Sequence, residues 1–458
     1  MFRGKFKTIH FVGIGGIGMS GIAEVLLTLG FSVTGSDVKE GKAVKHLRHV
    51  GAQVSIGHAA ENIGTADVVV RSTAVGIENP EIAAALAAKV PVIRRAEMLS
   101  ELMRLKYGIA VAGSHGKTTT TSMLAVCLSQ GGLDPTVVIG GRVASLGGVN
   151  ARHGHGEYLL AEADESDGTF LLLSPTIALI TNIDPEHLDH YGSAEALEET
   201  FVTFANRVPF YGFSVLCQDH PTVQRLMPRI RRKAITYGLS RQADYRGVNI
   251  EPDGFVTRFE LYHQDQRLGD MEIPMPGVHN VTNAIGAAAT SLELGIPFAE
   301  VAAALSGFSG VERRFTLQGE FGGVSVVDDY AHHPTEIEAT LEAAAAAFAG
   351  RRVIAVVQPH RYSRVRDLWP EFCASFNQAD VLVLCPIYAA GEEPVTGIDH
   401  ATLAEAVRQR GHRNVLVAEG LDDAQRVVLG MVQPTDVVIT MGAGTVGTLC
   451  ASLAEALS

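Results

Sequence analysis

Short apolar runs alternate with longer stretches of helical period along the whole chain. The runs are bounded by glycine or polar residues, which is typical of buried strands. They predict strands at residues 8–12, 67–70, 109–112, 178–181, 353–357, 381–384 and 437–440. The intervening stretches predict helices, for example at residues 20–29, 119–130 and 334–348. This alternation predicts an α/β protein built on doubly wound parallel sheets.

The 458 residues divide into three segments, in line with the two to four domains that this length allows. Residues 1–106 end just before a new strand begins at Tyr107. Residues 107–312 hold a strand–helix core and a β-rich stretch at 243–273. Residues 313–458 follow the sequence Ser-Gly-Phe-Ser-Gly, which is typical of a flexible connection.

Composition narrows the class of protein. The formal net charge of −13 argues against a nucleic-acid-binding protein, which normally carries a basic surface. Five dispersed cysteines without a CxxC pair indicate reduced thiols rather than disulfides or a structural zinc site. No secretion signal and no apolar stretch of about 18 residues is found, so we expect a cytoplasmic protein that does not insert into a membrane.

A glycine-rich segment, GIGGIG at residues 13–18, follows the first predicted strand and opens a helix. Its glycines allow a diphosphate to approach the backbone and the free N–H groups of the helix N-terminus. Asp37 ends the next strand, where a ribose hydroxyl acceptor is expected. The motif does not distinguish a dinucleotide from a UDP-sugar. A second match at residues 442–447 is better explained as a structural strand-to-helix turn.

A second loop, GSHGKTT at residues 113–119, also lies between a predicted strand and a helix. It contains the Gly-Lys-Thr core of a P-loop, although Val111 stands where the first glycine of that motif would fall. Its backbone N–H groups suit phosphate binding, Lys117 suits neutralisation of the β- and γ-phosphates, and Thr118 suits Mg²⁺. We therefore predict ATP binding at this loop.

Four further strand ends carry polar or charged side chains. EADESD at 162–167 suits Mg²⁺, unless it is a solvated acidic loop. NIDPEHLDH at 182–190 holds four potential ligands, among which Asp184 is the best candidate for a mere helix cap. DDYAHHP at 328–334 is too rich in polar groups for packing alone. QPHRYSRVR at 358–366 indicates an anion site, the alternative being a basic surface patch.

Taken in order, eight segments of the chain resemble the Mur ligase family. They are GIGGIGMSG, GSHGKTTT, EADESDG, NIDPEHLDHYG, PGVHNVTNA, GVERRF, DDYAHHPTEI and QPHRYSR. The first and last of these resemble the family members that add alanine. The resemblance implies ATP-dependent ligation of L-alanine to the carboxylate of UDP-N-acetylmuramate through an acyl phosphate, in peptidoglycan synthesis. The family fold implied is an N-terminal Rossmann-like domain, a central P-loop-type mononucleotide-binding domain and a C-terminal Rossmann-like domain.

The resemblance also implies roles for individual residues. Substrate-binding residues would be Gly15, Gly16, Ile17, Gly18, Asp37, Ser72, Thr73, Tyr330, His332, His360, Arg361 and Arg364. ATP would be bound by Gly113, Ser114, His115, Gly116, Lys117, Thr118, Thr119, Asn280, Asn283, Arg314 and Asp329. The metal ligands would be Thr118, Glu162 and His187. Catalysis would fall to Lys117, His187, His332, Arg361 and Arg364.

Two departures from the family pattern bear on these roles. Several relatives that add later amino acids hold a second Mg²⁺ with a carbamylated lysine, but no lysine lies between Lys117 and Lys233. His187 and Glu162 must therefore carry more of the metal binding. Ala331 stands where a glycine is common, and we expect little effect from it.

Three rival functions are compatible with part of the sequence. A nicotinamide-dependent oxidoreductase would explain the first glycine loop but not Lys117 or the four polar strand ends. A non-catalytic nucleotide sensor would explain both loops but not the segments at 328–334 and 358–366. A ligase that adds an intact peptide to UDP-N-acetylmuramate is the nearest alternative within the family. For the assembly we expect a monomer or a weak homodimer.

Overall fold

The protein is described by a computed structural model that covers residues 6–72, 74–143 and 149–458. Its residues group into two compact units. The first unit holds the chain up to Val248 together with Glu260–Met271 and Thr282–Ser309. The second holds Asn249–Phe259, Glu272–Val281 and Gly310–Ser458. Among the described residues, no helix is both long and apolar enough to cross a membrane.

The first unit begins with a five-stranded parallel sheet in the order β3-β2-β1-β4-β5. Its strands are β1 (Thr8–Val12), β2 (Ser32–Asp37), β3 (Gln53–Ile56), β4 (Val68–Arg71) and β5 (Val92–Arg94). Its helices are α1 (Ile17–Thr28), α2 (Lys42–His49), α3 (Pro80–Ala87) and α4 (Arg95–Met103), with a 3₁₀ turn at Ala60–Ile63. The strand order reverses between β1 and β4, so their carboxyl ends flank the crevice where open α/β sheets bind ligands.

A second, larger sheet follows in the same unit. Its strands are β6 (Tyr107–Ala112), β7 (Thr136–Val143), β8 (Val149–Arg152), β9 (Tyr158–Glu162), β10 (Ile177–Ile180), β11 (Phe213–Cys217), β12 (Ala234–Gly238), β13 (Tyr245–Asp253), β14 (Val256–His263) and β15 (Gln266–Ile273). The parallel part has the order β13-β12-β11-β10-β6-β9-β7, and β8 pairs antiparallel with β7. Strands β13, β14 and β15 contribute residues to both units.

Both long and short helices accompany this sheet. They are α5 (Lys117–Gln130), α6 (Leu188–Tyr191), α7 (Ala194–Asn206), α8 (Pro221–Leu226), α9 (Val278–Glu293) and α10 (Phe298–Ser306), with 3₁₀ turns at Thr169–Leu172 and Met227–Arg229. Helix α5 is buried on all sides from Thr118 to Leu128. A helix enclosed in this way fixes the loop that precedes it, because its first turn cannot move without disturbing the core.

The second unit is built on a six-stranded sheet in the order β16-β17-β21-β18-β19-β20. Its strands are β16 (Thr316–Phe321), β17 (Val324–Asp329), β18 (Val353–Val357), β19 (Val381–Leu384), β20 (Val415–Val417) and β21 (Val437–Met441). Its helices are α11 (Pro334–Ala347), α12 (Tyr362–Asp367), α13 (Trp369–Phe372), α14 (His400–Gln409), α15 (Leu421–Leu429) and α16 (Gly447–Leu457). All pairs are parallel except β16–β17, and apolar clusters cover both faces.

The predicted α/β class with parallel sheets is confirmed. Strands β1, β18 and β19 coincide with their predicted bounds, and the other predicted strands differ at their ends by one or two residues. Helix α1 begins at Ile17, three residues before the predicted start, because Gly18 and Gly21 lie inside the helix. Glycine is a poor helix former, so the apolar pattern alone predicted a later start.

Candidate functional site

The glycine loop at residues 13–18 lies at the reversal of strand order in the first sheet, between β1 and α1. The N–H groups of Gly13 and Ile14 donate to the carbonyl of Ser36, and the N–H of Gly15 donates to Oδ2 of Asp37 at 2.8 Å. A Cβ atom on Gly15 would lie 2.8 Å from that same oxygen, so any side chain at this position would displace the carboxylate. The structure therefore brings together Gly15 and Asp37, which the sequence assigned to one pocket.

Ser72 follows β4 and completes the same crevice. Its N–H donates to the carbonyl of Val12, and its Cβ lies 3.1 Å from the position that a Cβ on Gly13 would occupy. Gly16 precedes the first residue of α1, and Gly18 lies in the first turn of that helix. Thr73 and the side chain of Ile17 lie outside the described residues. Free N–H groups at a helix start, next to a glycine turn, suit a diphosphate.

The second loop, at residues 113–119, joins β6 to the buried helix α5. Gly113 and Gly116 have φ angles of +138° and +78°, which L side chains rarely adopt. A Cβ on Gly113 would also lie 2.1 Å from Oγ1 of Thr181. The loop is tied to the end of β10, since the N–H of His115 donates to Asn182 and Thr181 donates to the carbonyl of His115. The conformation of this loop is thus fixed by contacts at the ends of two strands, β6 and β10.

Lys117 is the first residue of α5, and its ammonium group points back into the loop. Nζ donates to the carbonyls of Gly113 at 2.6 Å and Ser114 at 3.0 Å, and lies 2.8 Å from Oε2 of Glu165. Burial alone would lower the pKa of Lys117, but the carboxylates of Glu165, Asp164 and Glu162 raise it well above its usual range. Lys117 therefore carries a permanent positive charge.

Glu165 was not among the predicted site residues, although it lies in the acidic segment after β9. Its side chain is 1% exposed, and burial raises its pKa, with Lys117 opposing that rise and Asp164 adding to it. The signal in the sequence was the position of Glu165, three residues beyond the end of β9. The sequence could not tell which of the neighbouring carboxylates would meet the lysine.

Thr118 and Glu162 form the best site for a hard cation. The Thr118 hydroxyl donates to both carboxylate oxygens of Glu162, at 3.0 and 3.1 Å, and Glu162 also accepts the N–H of Gly140 at 2.8 Å. Oxygen ligands of this kind, held beside a phosphate loop, are what Mg²⁺ prefers. The residues present therefore fit the metal that the resemblance implied.

His187 belongs to a second group of potential ligands, with Glu165 and Glu186. One ligand atom from each of the three lies within 4.8 Å of the other two. His187 has a φ of +56°, an uncommon backbone conformation that aims its ring from the start of α6. The sequence paired His187 with Glu162, whereas the structure groups it with Glu165 and Glu186. Glu186 is a further residue that the sequence analysis missed.

Asp184 is not the helix cap that the sequence favoured, and that interpretation was wrong. Helix α6 is preceded by His187 and α7 by Ser193, while the carboxylate of Asp184 lies 3.1 Å from the Nε2 atoms of both His115 and His220. Burial would raise the pKa of Asp184, but these two histidines lower it well below its usual range. Asp184 thus anchors the phosphate loop through His115.

Two asparagines of the segment PGVHNVTNA were predicted to bind ATP. Asn283, in the first unit, accepts a hydrogen bond from the Thr120 hydroxyl at 3.1 Å and packs on Gly116, where a Cβ would come within 2.6 Å of its amide oxygen. Asn280 belongs to the second unit, and its amide donates to the carbonyl of Pro276. Thr119 is buried at the start of α5. Asn283 is thus placed directly beside the phosphate loop.

In the second unit, Asp329 ends β17 and is buried. Its carboxylate accepts the N–H groups of Phe315 and Ala331 at 2.7 and 2.6 Å. Burial raises its pKa to about 6, against the opposing effect of Arg314. The next residue, Tyr330, has the guanidinium groups of Arg313 and Arg314 each 5.0 Å from its ring centre. Asp329 therefore orders the turn that carries Tyr330.

His332 and His360 meet across the ends of β17 and β18, with ring centres 5.7 Å apart. The His332 ring also packs edge-on against Tyr330, and His360 stacks on Tyr388. Burial lowers the pKa of His360 to about 3, and His332, Arg364 and Arg361 add to the effect. His360 is therefore neutral near pH 7.

The arginines of this segment are held by a loop that the sequence analysis overlooked. Arg361 has a φ of +69° and donates its N–H to the carbonyl of Tyr388, while Arg364 lies 3.3 Å from Nδ1 of His360. Glu392 accepts from both the N–H and the hydroxyl of Ser363. The side chains of His360, Arg361 and Arg364 at the start of α12 suit an anionic group of the substrate.

The structure thus gathers two sets of the predicted residues. The first unit holds the glycine loop with Asp37 and Ser72, and the phosphate loop with Glu162 and His187. The second unit holds a separate set made of Arg314, Asp329, Tyr330, His332, His360, Arg361 and Arg364. The first unit offers phosphate-binding backbone and a metal site, and the second offers cations and imidazoles.

Comparisons with known proteins agree over nearly the whole chain. Profiles described as Mur ligase family, catalytic domain, as Mur ligase middle domain, and as Mur ligase, glutamate ligase domain match residues 8–107, 111–291 and 313–444. Two similar proteins are named UDP-N-acetylmuramate–L-alanine ligase. That of Anaeromyxobacter dehalogenans (strain 2CP-C) is 55% identical, covering 97% of each chain. That of Myxococcus xanthus is 54% identical, covering 99% of this chain and 96% of the relative.

Comparison with solved structures agrees with the sequence matches. A UDP-N-acetylmuramate-alanine ligase from Thermotoga maritima is 29% identical, with a TM-score of 0.82 and coverage of 98% of this chain and 99% of that chain. A murein peptide ligase from Psychrobacter arcticus is 26% identical, with a TM-score of 0.71 and coverage of 98% of both chains. From these matches and the two loops described above, the chain belongs to the Mur ligase family.

Proposed function

We propose that this chain catalyses the ATP-dependent ligation of L-alanine to the carboxylate of UDP-N-acetylmuramate, with release of ADP and phosphate, in peptidoglycan synthesis. The observation that carries the proposal is the set of Lys117, Thr118, Glu162, Glu165 and His187 at one sheet edge. It lies in a chain 55% identical, over 97% of its length, to a ligase of that name. We further propose that the enzyme acts in the cytoplasm and that its domains are residues 1–106, 107–312 and 313–458.

The reaction must first activate a carboxylate, because its oxygen is a poor leaving group. A carboxylate oxygen attacks the γ-phosphorus of ATP, the bond to the ADP oxygen breaks, and an acyl phosphate forms. Negative charges crowd together in this step, so cations must offset them. We assign that task to Lys117, whose charge is held by the buried carboxylate of Glu165.

A divalent cation would bind at Thr118 and Glu162, with His187 contributing. It would supply charge stabilisation on the phosphate oxygens. The chain's own contribution is to fix the two oxygen ligands, since Thr118 lies in the buried helix α5 and Glu162 ends β9. The remaining ATP contacts are assigned to residues 113–119, Asn280, Asn283, Arg314 and Asp329.

Amide formation follows when the amine of alanine attacks the acyl carbon. The amine loses a proton, a tetrahedral intermediate collapses, and phosphate leaves. Tyr330 and His332 are assigned to the incoming alanine, and His360, Arg361 and Arg364 to the carboxylate or to the intermediate. His360 is neutral and adds no charge of its own, so the positive charge beside an anion would come from Arg361 and Arg364.

Phosphate release from ATP in the presence of Mg²⁺ tests the proposal in three arms: no acceptor, L-alanine, and the intact tripeptide. Each arm is run with and without UDP-N-acetylmuramate. We expect release that needs the sugar nucleotide and L-alanine together. Release with the tripeptide instead of L-alanine would move the chain to the peptide-adding activity. Release that ignores the sugar nucleotide would contradict the proposed function.

A further inference from the structure

Arg95 stands at the same sheet edge as the glycine loop. It is the first residue of α4 and directly follows β5, which pairs in parallel with β4, itself parallel to β1. Carboxyl ends of parallel strands meet at one edge, so the loop after β1 and the start of α4 lie on the same side of the sheet. The sequence analysis gave Arg95 no role.

The Arg95 side chain packs directly on Gly18. A Cβ atom on Gly18 would lie 3.0 Å from Cδ, 3.1 Å from Nη1 and 3.3 Å from Nε of Arg95. Gly18 lies inside α1 and is not among the residues with positive φ, so its backbone conformation does not require glycine. The missing side chain at Gly18 instead leaves room for the guanidinium group against the first turn of α1.

The charge of Arg95 lies near the carboxylate of Asp164, whose pKa it helps to lower, but the two side chains form neither a hydrogen bond nor an ion pair. Neighbouring arginines are satisfied: Arg94 meets Glu97, Arg104 meets Glu101, and Arg71 donates to the carbonyl of Val75. Within the described ranges, Arg95 forms neither a hydrogen bond nor an ion pair, although it is partly buried. A guanidinium has five N–H donors, and leaving them unpaired in a partly desolvated place is costly. An anionic ligand would remove that cost.

We propose that Arg95 is a substrate-binding residue that donates its guanidinium N–H groups to the diphosphate of the sugar nucleotide, and that Gly18 is glycine to admit it. This inference rests on the proposed function, which places a nucleoside diphosphate at the glycine loop. The start of α1 supplies backbone N–H groups and the positive end of the helix dipole. Arg95 adds a full charge and a fork of donors that matches phosphate geometry.

Calorimetric titration with UDP, with UDP-N-acetylmuramate and with ADP tests the assignment. Arg95→Gln should weaken binding of UDP and of UDP-N-acetylmuramate by about 10- to 100-fold, the range for hydrogen bonds to a charged group. Binding of ADP should not change. Arg95→Lys should recover part of the loss, because it restores the charge but not the fork. The matched control is Arg104→Gln, on the exposed end of the same helix, which should leave all three affinities unchanged.

Gly18→Ala adds a test of the packing. It should displace Arg95 and weaken UDP binding, and combined with Arg95→Gln it should cost little more than Arg95→Gln alone, since both act on one contact. Additive losses would overturn the role given to Gly18. Unchanged UDP affinity in Arg95→Gln would overturn the diphosphate assignment, even if the affinity for UDP-N-acetylmuramate fell. An equal loss of affinity for ADP would also overturn it. A wild-type protein that binds neither UDP nor its sugar would instead sink the proposed function.

Discussion

The ammonium nitrogen of Lys117 lies 2.8 Å from Oε2 of Glu165, in a place where the carboxylate is 1% exposed. A P-loop lysine is expected to face phosphate, and here it already faces a buried anion. The pair explains how a cation is kept charged and ordered before any nucleotide binds. Both the stability of the fold and the activity should therefore depend on Lys117 and Glu165, and substitutions of the pair can separate the two effects.

Removing one member of this pair should destabilise the protein as well as inactivate it. Lys117→Met leaves Glu165 buried without its cation, and we expect a loss of about 3–5 kcal/mol in the free energy of unfolding. Adding Glu165→Gln to the Lys117→Met variant should restore most of the lost stability, because no buried charge is left. Thermal unfolding and phosphate release are the measurements. Activity should stay down by about 10²–10³-fold in both variants; recovery of activity together with stability would contradict the role of Lys117.

Metal dependence should follow the Thr118 hydroxyl. Stripping divalent cations with a chelator should abolish phosphate release, and added Mg²⁺ should restore it. Thr118→Val keeps the shape but removes the oxygen beside Glu162, and should raise the Mg²⁺ concentration needed for half-maximal activity by about 10- to 100-fold. Thr118→Ser keeps the hydroxyl and serves as the matched control. Equal Mg²⁺ requirements in the two variants would remove Thr118 from the metal site.

The buried carboxylate of Glu81 should make stability depend on acid pH. It lies near His10 and His58 and accepts hydrogen bonds from Ser36 and Asn62. Burial would raise its pKa, but His10, Ser36 and Asn62 lower it to about 2. The stabilisation is therefore present above pH ~4.5 and is lost as the pH falls from there towards 2, with a total of at most about 3 kcal/mol.

Comparison of Glu81→Gln with the wild type measures this effect. The gap between their thermal midpoints should be widest at pH 6 and should narrow steadily as the buffer is taken down to about pH 3. Glu61→Gln, an exposed carboxylate in the neighbouring 3₁₀ turn, is the control and should show no such gap. A gap of constant size across this range would mean that Glu81 is not ionised in the folded protein.

His360 should remain neutral wherever the enzyme is active. Its pKa of about 3 is set by burial first and then by His332, Arg364 and Arg361. Ring signals in nuclear magnetic resonance, assigned with His360→Gln, should not shift between pH 5 and 8, whereas the unfolded chain titrates near ~6.5. Because the folded pKa is the lower one, the contribution to stability is full above ~6.5 and declines as the pH falls towards 3. Titration of the folded ring near neutrality would contradict this environment.

The sequence was sufficient to predict the positions of several strands, but not to predict which side chains contact each other within the site. Buried parallel strands are continuous apolar runs, so β1, β18 and β19 were placed correctly from hydrophobicity alone. Which carboxylate meets Lys117 depends on the register of β9 beside β6, and that register is set by packing. His220 was missed because it reaches Asp184 from the end of another strand, 36 residues away.

The glycines of the first loop differ in how much of their role a sequence can indicate. The segment at 13–18 was read as a phosphate-binding turn, and the turn residues Gly13 and Gly15 fit that interpretation. For Gly18 the proposed reason is steric, because the side chain of Arg95 packs on it. Arg95 lies 77 residues further along the chain. A contact of that range leaves no local pattern, so only the folded chain shows it.

Transfer of a heavy-oxygen label tests the central claim most directly. The protein is incubated with ATP, Mg²⁺, L-alanine and UDP-N-acetylmuramate whose carboxylate oxygens are labelled with a heavy isotope. The masses of the ligated sugar nucleotide and of the released phosphate are then measured by mass spectrometry. The account predicts an alanine-ligated sugar nucleotide that has lost one labelled oxygen, with that oxygen in the released phosphate. Unlabelled phosphate, or the absence of the ligated product, would contradict activation of the carboxylate by ATP on this chain.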